Sequence, residues 1–231
     1  MKNKYSYIGV VFIILLFGIF VVRNFKHHSN PKSTSLKYTK PKGLPNKSGL
    51  AYLVINDEAR KMPEFSFTDQ NNQLISNIDY KGKVFVVEFF FTSCPTICPI
   101  MNRNMLTIEE EFGKRDDFGI ASFTINPSYD TPMVLKEYAE NYGVTSLNWH
   151  FLTGDRDTIY EMANKGLNIF AGLNPEVEGG FEHQGFFALV DKNGYLRSRT
   201  DQYGNPKIFY QGTETEEVAL LKEDIDLLLK E

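Results

Sequence analysis

Cysteine is nearly absent from this chain: 231 residues contain two. That number excludes a disulfide scaffold, and a chain of this length has enough interior not to need one. A basic excess is lacking as well. Lys and Arg number 25 against 29 Asp and Glu, giving a net charge of −4 and a pI near 5.7, so the chain carries no electrostatic footprint for nucleic acid. There is no Gly-rich phosphate loop, no His-Glu-x-x-His and no Gly-x-Ser-x-Gly, which sets aside the common nucleotide-binding, zinc-hydrolase and serine-hydrolase signatures. No internal repeat is present. Apolar residues, by contrast, are ample. A share of 42% hydrophobic and 14% aromatic residues supports a packed core and excludes a wholly disordered chain.

One apolar run stands apart from that core. Residues 5–22 carry no charge, and a run of this length just suffices to cross a bilayer as a helix. Lys2 and Lys4 precede it; Arg23 and Lys26 follow. No small-x-small pattern follows Val22, so an uncleaved transmembrane anchor is expected rather than a removed signal peptide. The flanking charges do not fix its orientation. Residues 23–50, rich in Lys, Ser, Pro and Gly, read as a tether. That leaves 1–4 as a short N-terminal end and 51–231 as the folded domain.

Within the domain, strand and helix patterns alternate. Residues 65–68 and 73–75 read as short strands around a turn at 69–72. Residues 83–91 form an apolar run fit for a central strand. Met101, Met105, Ile108 and Phe112 recur at helical spacing over 100–112, and 118–125 reads as a second buried strand. A helix starts near Asp130, Thr131 and Pro132, with a capping residue and a first-turn proline. A strand follows at 149–153, then a helix from Asp155 through Ala163. Residues 185–191 and 195–199 form a hairpin around Asn193-Gly194, and an amphipathic helix begins near Thr215. This order predicts an α/β thioredoxin-like sandwich with an added hairpin, preceded by one N-terminal transmembrane helix.

The two cysteines, Cys94 and Cys98, lie just after the central strand, where a helix N-terminus stabilises thiolate. On a regular helix this spacing separates Cβ atoms by about 5–6 Å. A disulfide wants about 3.5–4.5 Å, whereas two thiolates on one soft metal tolerate the wider separation. Pro95 and Pro99 each follow a cysteine and disfavour helical geometry there. The segment is therefore expected to be a shaped loop entering a helix near Pro99, and a disulfide stays open. Two thiolates suit Cu(I); a third ligand broadens the choice to Cu(II) or zinc. Of the four histidines, His27 and His28 read as a solvated flank of the anchor and His150 as a structural residue. His183, in a loop at 179–185 ahead of a central-looking strand, is the candidate third ligand. Met101 and Met105 read as core. Glu88, inside the apolar strand, is either a buried carboxylate near the site or a residue at a sheet edge.

Residues 89–99, 130–138 and 149–154, with His183 ahead of 187–194, resemble the Sco/SenC family of copper chaperones for cytochrome c oxidase. The resemblance covers about residues 63 to 230. It implies copper, as Cu(I) or Cu(II), bound by Cys94, Cys98 and His183. It also implies a single-pass protein of the cytoplasmic membrane, with residues 1–4 in the cytoplasm and the domain on the periplasmic or extracytoplasmic side. The implied partners are the copper-bearing subunit of cytochrome c oxidase and a thioredoxin-like or copper-donor protein. The implied function is a metallochaperone, not an enzyme, that delivers copper to the oxidase or prepares its copper site. The alternative is a thiol–disulfide oxidoreductase, with Cys94 and Cys98 redox-active, that reduces the cysteines of an oxidase subunit. One departure stands out: Asn126 replaces the first acid of the family's Asp-Pro-Glu-x-Asp-Thr segment, while Asp130 is kept. It bears on copper release or partner docking and leaves the ligands untouched.

Overall fold

The computed structural model describes residues 16–17, 41, 43–55 and 58–231. The anchor expected over 5–22 (Leu16 and Phe17 apart), residues 1–4, and the tether through residue 40 lie outside the described residues. Among the described residues no helix is long and apolar enough to cross a membrane.

Three short strands, β1 (Ala51–Tyr52), β2 (Val54–Ile55) and β3 (Glu58–Ala59), lead into the hairpin β4 (Ser66–Thr68) and β5 (Leu74–Ser76). The central unit is β6 (Val84–Phe90), α1 (Cys98–Phe112), β7 (Phe118–Thr124), α2 (Pro132–Tyr142) and β8 (Trp149–Leu152). Then come α3 (Arg156–Glu161), β9 (Ala171–Leu173), β10 (Phe181–His183), β11 (Phe186–Val190), β12 (Leu196–Ser198), β13 (Tyr210–Gln211) and α4 (Thr215–Leu229).

Every residue of β6 and β7 is buried, as continuous apolar runs require of strands covered on both faces. They pair in parallel from Val84↔Phe118 to Phe90↔Thr124, and β8 continues in parallel on β7. Each parallel step needs a crossover, and right-handed crossovers in one direction put α1 and α2 on the same face. There the Phe112 ring lies 5.4 Å from Phe118 and Tyr138 lies 5.5 Å from Phe90. On the other face, Phe65 and Phe67 set their rings edge-on to Phe123. β11 runs antiparallel along the free side of β6, and the expected hairpin to β12 turns at Gly194, φ +81°. The sheet order is β1-β12-β11-β6-β7-β8, with β13 also on β11. Glu88 therefore lies in a central strand, and the sheet-edge reading is excluded.

Two segments depart from expectation. The helix expected through Ala163 leaves α-geometry after Glu161 and widens into a π-helical turn, Met162–Leu167, closed by Asn168 at φ +57°. Asn164 in that turn bonds both the N–H and the carbonyl of Ala171, fixing the start of β9. The loop reading of 179–185 is also corrected, because Phe181–His183 is a strand paired with Ala171–Leu173.

Candidate metal centre

After β6 the chain turns sharply, with the Cys94 N–H donating to the Phe91 carbonyl at 3.2 Å. Asp130 fixes the start of this turn. Its carboxylate accepts the Thr92 N–H at 3.1 Å and the hydroxyls of Thr92 and Thr124. Burial raises the Asp130 carboxyl above its ordinary range, and the bonds from Thr124 and Thr92 partly offset this. Asp130 immediately precedes Thr131, the N-cap of α2, which accepts the Val134 N–H. The entry to α2 thus pins the entry to the cysteine turn.

α1 begins at Cys98 itself, after Ile97 at φ −84°, ψ −34°. The helix entry expected near Pro99 falls one residue earlier. Pro99 occupies the first turn, where a missing N–H costs no helical hydrogen bond, and the pre-proline residue is accommodated in the helix. Cys94 remains in the turn. Cys98 is wholly buried, and Cys94 and His183 are each 8% exposed. Both thiols are free.

β10 carries His183 back to this end of the sheet. Its Nδ1 lies 3.2 Å from the Gln184 carbonyl and its Nε2 lies 3.2 Å from Cys98 Sγ. A proton on Nδ1, donated to Gln184, leaves the Nε2 lone pair facing the thiols, the tautomer a metal ligand needs. The Phe91 ring meets the imidazole edge-on at 5.9 Å. One donor atom from each of Cys94, Cys98 and His183 lies within 4.8 Å of the others. Three donors at about 2.1–2.3 Å from one ion stand roughly 4 Å apart, so the set closes on a three-coordinate soft metal with small movements. Sulfur, sulfur and imidazole match copper's preferences.

The thiols are unequal. Cys94 is held well below the ordinary thiol range, chiefly by the neighbouring Cys98 thiol, against the opposing effect of burial. Cys98 is pushed up, first by burial and then by Cys94. The two shifts have opposite sign, so Cys94 is the readier thiolate and Cys98 the readier thiol.

The other candidates fall elsewhere. His150 Nδ1 pairs with buried Asp69 at 3.1 Å, a structural contact as expected. Met101 and Met105 are fully buried in the core. His27 and His28 lie outside the described residues. The hold of Asp130 on Thr92 escapes the sequence pattern; in the segment 179–185, Gly179 sits at φ +90° against Phe91 and Pro95. The Gly179-Gly180 pair was the one local signal of a turn closing over the cysteines.

The profile of the SCO1/SenC family matches residues 55–216. This chain belongs to that family. Among SCO1/SenC relatives, the SCO1 protein homolog of Bacillus subtilis (strain 168) is 36% identical over 132 residues, 56% of this chain and 68% of that one. The SCO2-like protein of Rickettsia felis is 32% identical over 149 residues, 62% of this chain and 71% of that one. The structure of a SCO1/SenC family lipoprotein from Bacillus anthracis str. Ames aligns with a TM-score of 0.63 at 26% identity, covering 74% of this chain and 95% of that one. The structure of BsSco aligns with a TM-score of 0.59 at 30% identity, covering 72% and 92%. BsSco is described as a member of the Sco family of cytochrome c oxidase assembly proteins, with a disulfide switch. The thioredoxin-like α/β architecture is thus that of the SCO1/SenC fold.

Proposed function

We propose that this chain binds copper through Cys94, Cys98 and His183 and supplies it during assembly of cytochrome c oxidase. The observation that carries the reading is the convergence of two thiols and an imidazole from three separate elements within 4.8 Å. Membership of a family whose relative BsSco is described by oxidase assembly supports the destination. Copper is the cargo. Cys94 and His183 reach the surface and Cys98 does not, so a recipient's thiolates displace Cys94 or His183 first and Cys98 last. The apolar run 5–22 anchors the chain in the cytoplasmic membrane with the domain outside, facing the copper-bearing oxidase subunit. The test is anaerobic Cu(I) titration of the whole chain. One equivalent binds the intact protein, Cys94→Ala and Cys98→Ala abolish binding, and His183→Ala removes the nitrogen coupling from the Cu(II) paramagnetic resonance spectrum. Equal binding by the cysteine variants overturns the reading.

The unequal thiols favour a second reading. A low-pKa thiolate beside a buried thiol is the arrangement of a thiol–disulfide oxidoreductase, here acting on the cysteines of an oxidase subunit. Such a reductase does not need a nitrogen ligand. Full turnover with a dithiol peptide by His183→Ala, together with lost copper binding, would favour reduction over delivery.

A further inference from the structure

β9 and β10 form a two-stranded sheet apart from the central one. Bonds at its two ends fix the phase of its ladder: the Asn174 N–H donates to the Gly180 carbonyl, and the Gln184 N–H donates to the Phe170 carbonyl. Bonded and non-bonded pairs alternate along an antiparallel ladder. Of the three registered pairs, only Gly172 and Glu182 therefore exchange bonds across it. The N–H and C=O groups of Phe181 and His183 point away from β9. Among the described residues no strand pairs with β10 on that side, and no main-chain bond takes up those groups. A strand edge of this kind is a template for a further strand.

The same hairpin walls a cavity of about 240 Å³ beside the metal centre, lined by Phe91, Ile97, Val177 and Phe181 and by the donors Cys94 and His183. That is smaller than the roughly 300–1,000 Å³ of a small-molecule site, and it suits a side chain. Phe181 and His183 both turn inward, their rings 5.3 and 5.9 Å from Phe91, and Glu182 between them is exposed. Glu176 and Glu178 are exposed on the turn of the hairpin. Glu182 accepts from Asn174 Nδ2 at 2.9 Å, and none of the three acids is in an ion pair among the described residues. An open strand edge, an apolar cavity and unpaired negative charge thus meet at the one place where Cys94 and His183 line a cavity.

We infer that β10 is the docking edge for the protein that exchanges copper with this site, and that the segment it receives is an extended strand of the pattern apolar–basic–cysteine, read in either direction. The inference rests on the copper reading only in taking the partner's cysteine to meet Cys94. Added to β10, the strand pairs its main chain with Phe181 and His183, and the cavity selects among its side chains. Residues two apart lie on one face of a strand. The cysteine and the apolar residue therefore both face the cavity, with the thiol toward Cys94 and the apolar side chain against Phe91 and Val177. The residue between them faces outward beside Glu182, where opposite charges on neighbouring strands attract and like charges repel. Glu176 and Glu178 extend the same preference to the flanking residues, and an acidic segment is refused.

The test uses the full chain in detergent, free of copper, with Cys98→Ser so that Cys94 is its only thiol. It is equilibrated with equal amounts of the peptides Ser-Ile-Lys-Cys-Ser and Ser-Ile-Glu-Cys-Ser, each capped at cysteine as a mixed disulfide with mercaptoethanol. The Cys94 sulfur attacks the peptide sulfur, a new disulfide forms, and mercaptoethanol leaves with the electron pair and a proton. Mass spectrometry reads the captured peptide. The lysine peptide should exceed the glutamate peptide by about tenfold, and the double variant Glu178→Lys, Glu182→Lys should reverse that order, which a merely structural role would not do. Serine in place of isoleucine should lower capture. With the lysine peptide attached, amide hydrogen exchange at Phe181 and His183 should slow by about tenfold, and a peptide N-methylated along its main chain should not slow it. Equal capture of the two peptides, an order unchanged by charge reversal, or unchanged exchange on capture overturns the inference. So does protection of those amides that grows with protein concentration in the absence of peptide, the mark of a second copy of this chain on the edge. Cu(I) titration of the intact chain is a separate measurement: one equivalent bound keeps the copper reading whichever peptide is captured.

Discussion

Cys94 and Cys98 differ in partner and exposure, Cys94 Sγ lying 3.7 Å from Thr96 Oγ1 and buried Cys98 Sγ 3.2 Å from His183 Nε2, and their reactivity should differ accordingly. Alkylation mapped by mass spectrometry should label Cys94 at pH values well below the ordinary thiol range and leave Cys98 protected; equal labelling would contradict the thiolate assignment. Glu88 gives a stability prediction with a definite sign. Its carboxyl is raised from 4.5 to about 7, so between those values the folded state keeps a proton that the unfolded chain has lost. Stability is then fullest below the lower value and falls as pH rises through 7, by about 3 kcal/mol for a shift of this size. Denaturant melts at about pH 5 and about pH 8 should show that fall in the intact protein and not in Glu88→Gln. The two cysteines were legible in the sequence because cysteine is scarce there and both stand at one strand end; His183 was one histidine of four, and its ligand role came from the resemblance. The hold of Asp130 on Thr92 was not, because a hydroxyl–carboxylate bond across 38 positions leaves no periodicity to read.

Strands and helices were legible in proportion to their length. The runs of β6 and β7 and the Met101-Met105-Ile108-Phe112 stripe carry enough repeats to declare their period. β9 and β10 have three residues each, interrupted by Gly172 and Glu182, and too short a run hides its alternation. Only pairing across the turn defines them, and this pairing positions His183. A Cβ at Gly179 would come within 3.1 Å of the Phe91 ring and 3.2 Å of Pro95 Cδ, at a left-handed backbone angle. Gly179→Ala should therefore push the β9–β10 turn off the cysteine turn without deleting a donor. Competition with a Cu(I) chelator should show about tenfold weaker binding, the equivalent of about 1.4 kcal/mol, at unchanged stoichiometry. The π-helical widening after Glu161 had no local signal; within it Gly166 lies so close to Pro63 that a Cβ would meet Pro63 Cγ at 2.5 Å.

At the scale of the whole domain, Arg197 gathers distant parts of the chain. Its buried guanidinium donates to Asp191 at 2.8 Å, to the Leu50 carbonyl at 3.0 Å, to Ser48 at 3.1 Å and to Glu231 at 3.3 Å, and it lies over the Tyr52 ring. Residues 46–50, which composition alone assigned to the tether, are bonded to the domain in this way, and Leu50 joins its core. Composition could not reveal it, because the partner guanidinium lies about 150 positions on. A chain starting at Ala51 should melt earlier than one starting at Thr39, and Arg197→Ala should cost about 3–5 kcal/mol by stranding buried Asp191; calorimetry of the three proteins checks both. The same junction brings the two ends of the domain together, since Ser48 Oγ donates to Glu231 Oε2 at 2.6 Å. Through Leu189, Arg197 lies level with Val86, roughly 13 Å of strand below Phe90 and the thiols. From residue 46 to residue 231 the chain is in effect a nearly closed ring whose clasp lies away from the cysteines. Joining Glu231 to Asn46 through a short linker and reopening the chain at an exposed turn should yield a permuted protein with its copper chemistry intact.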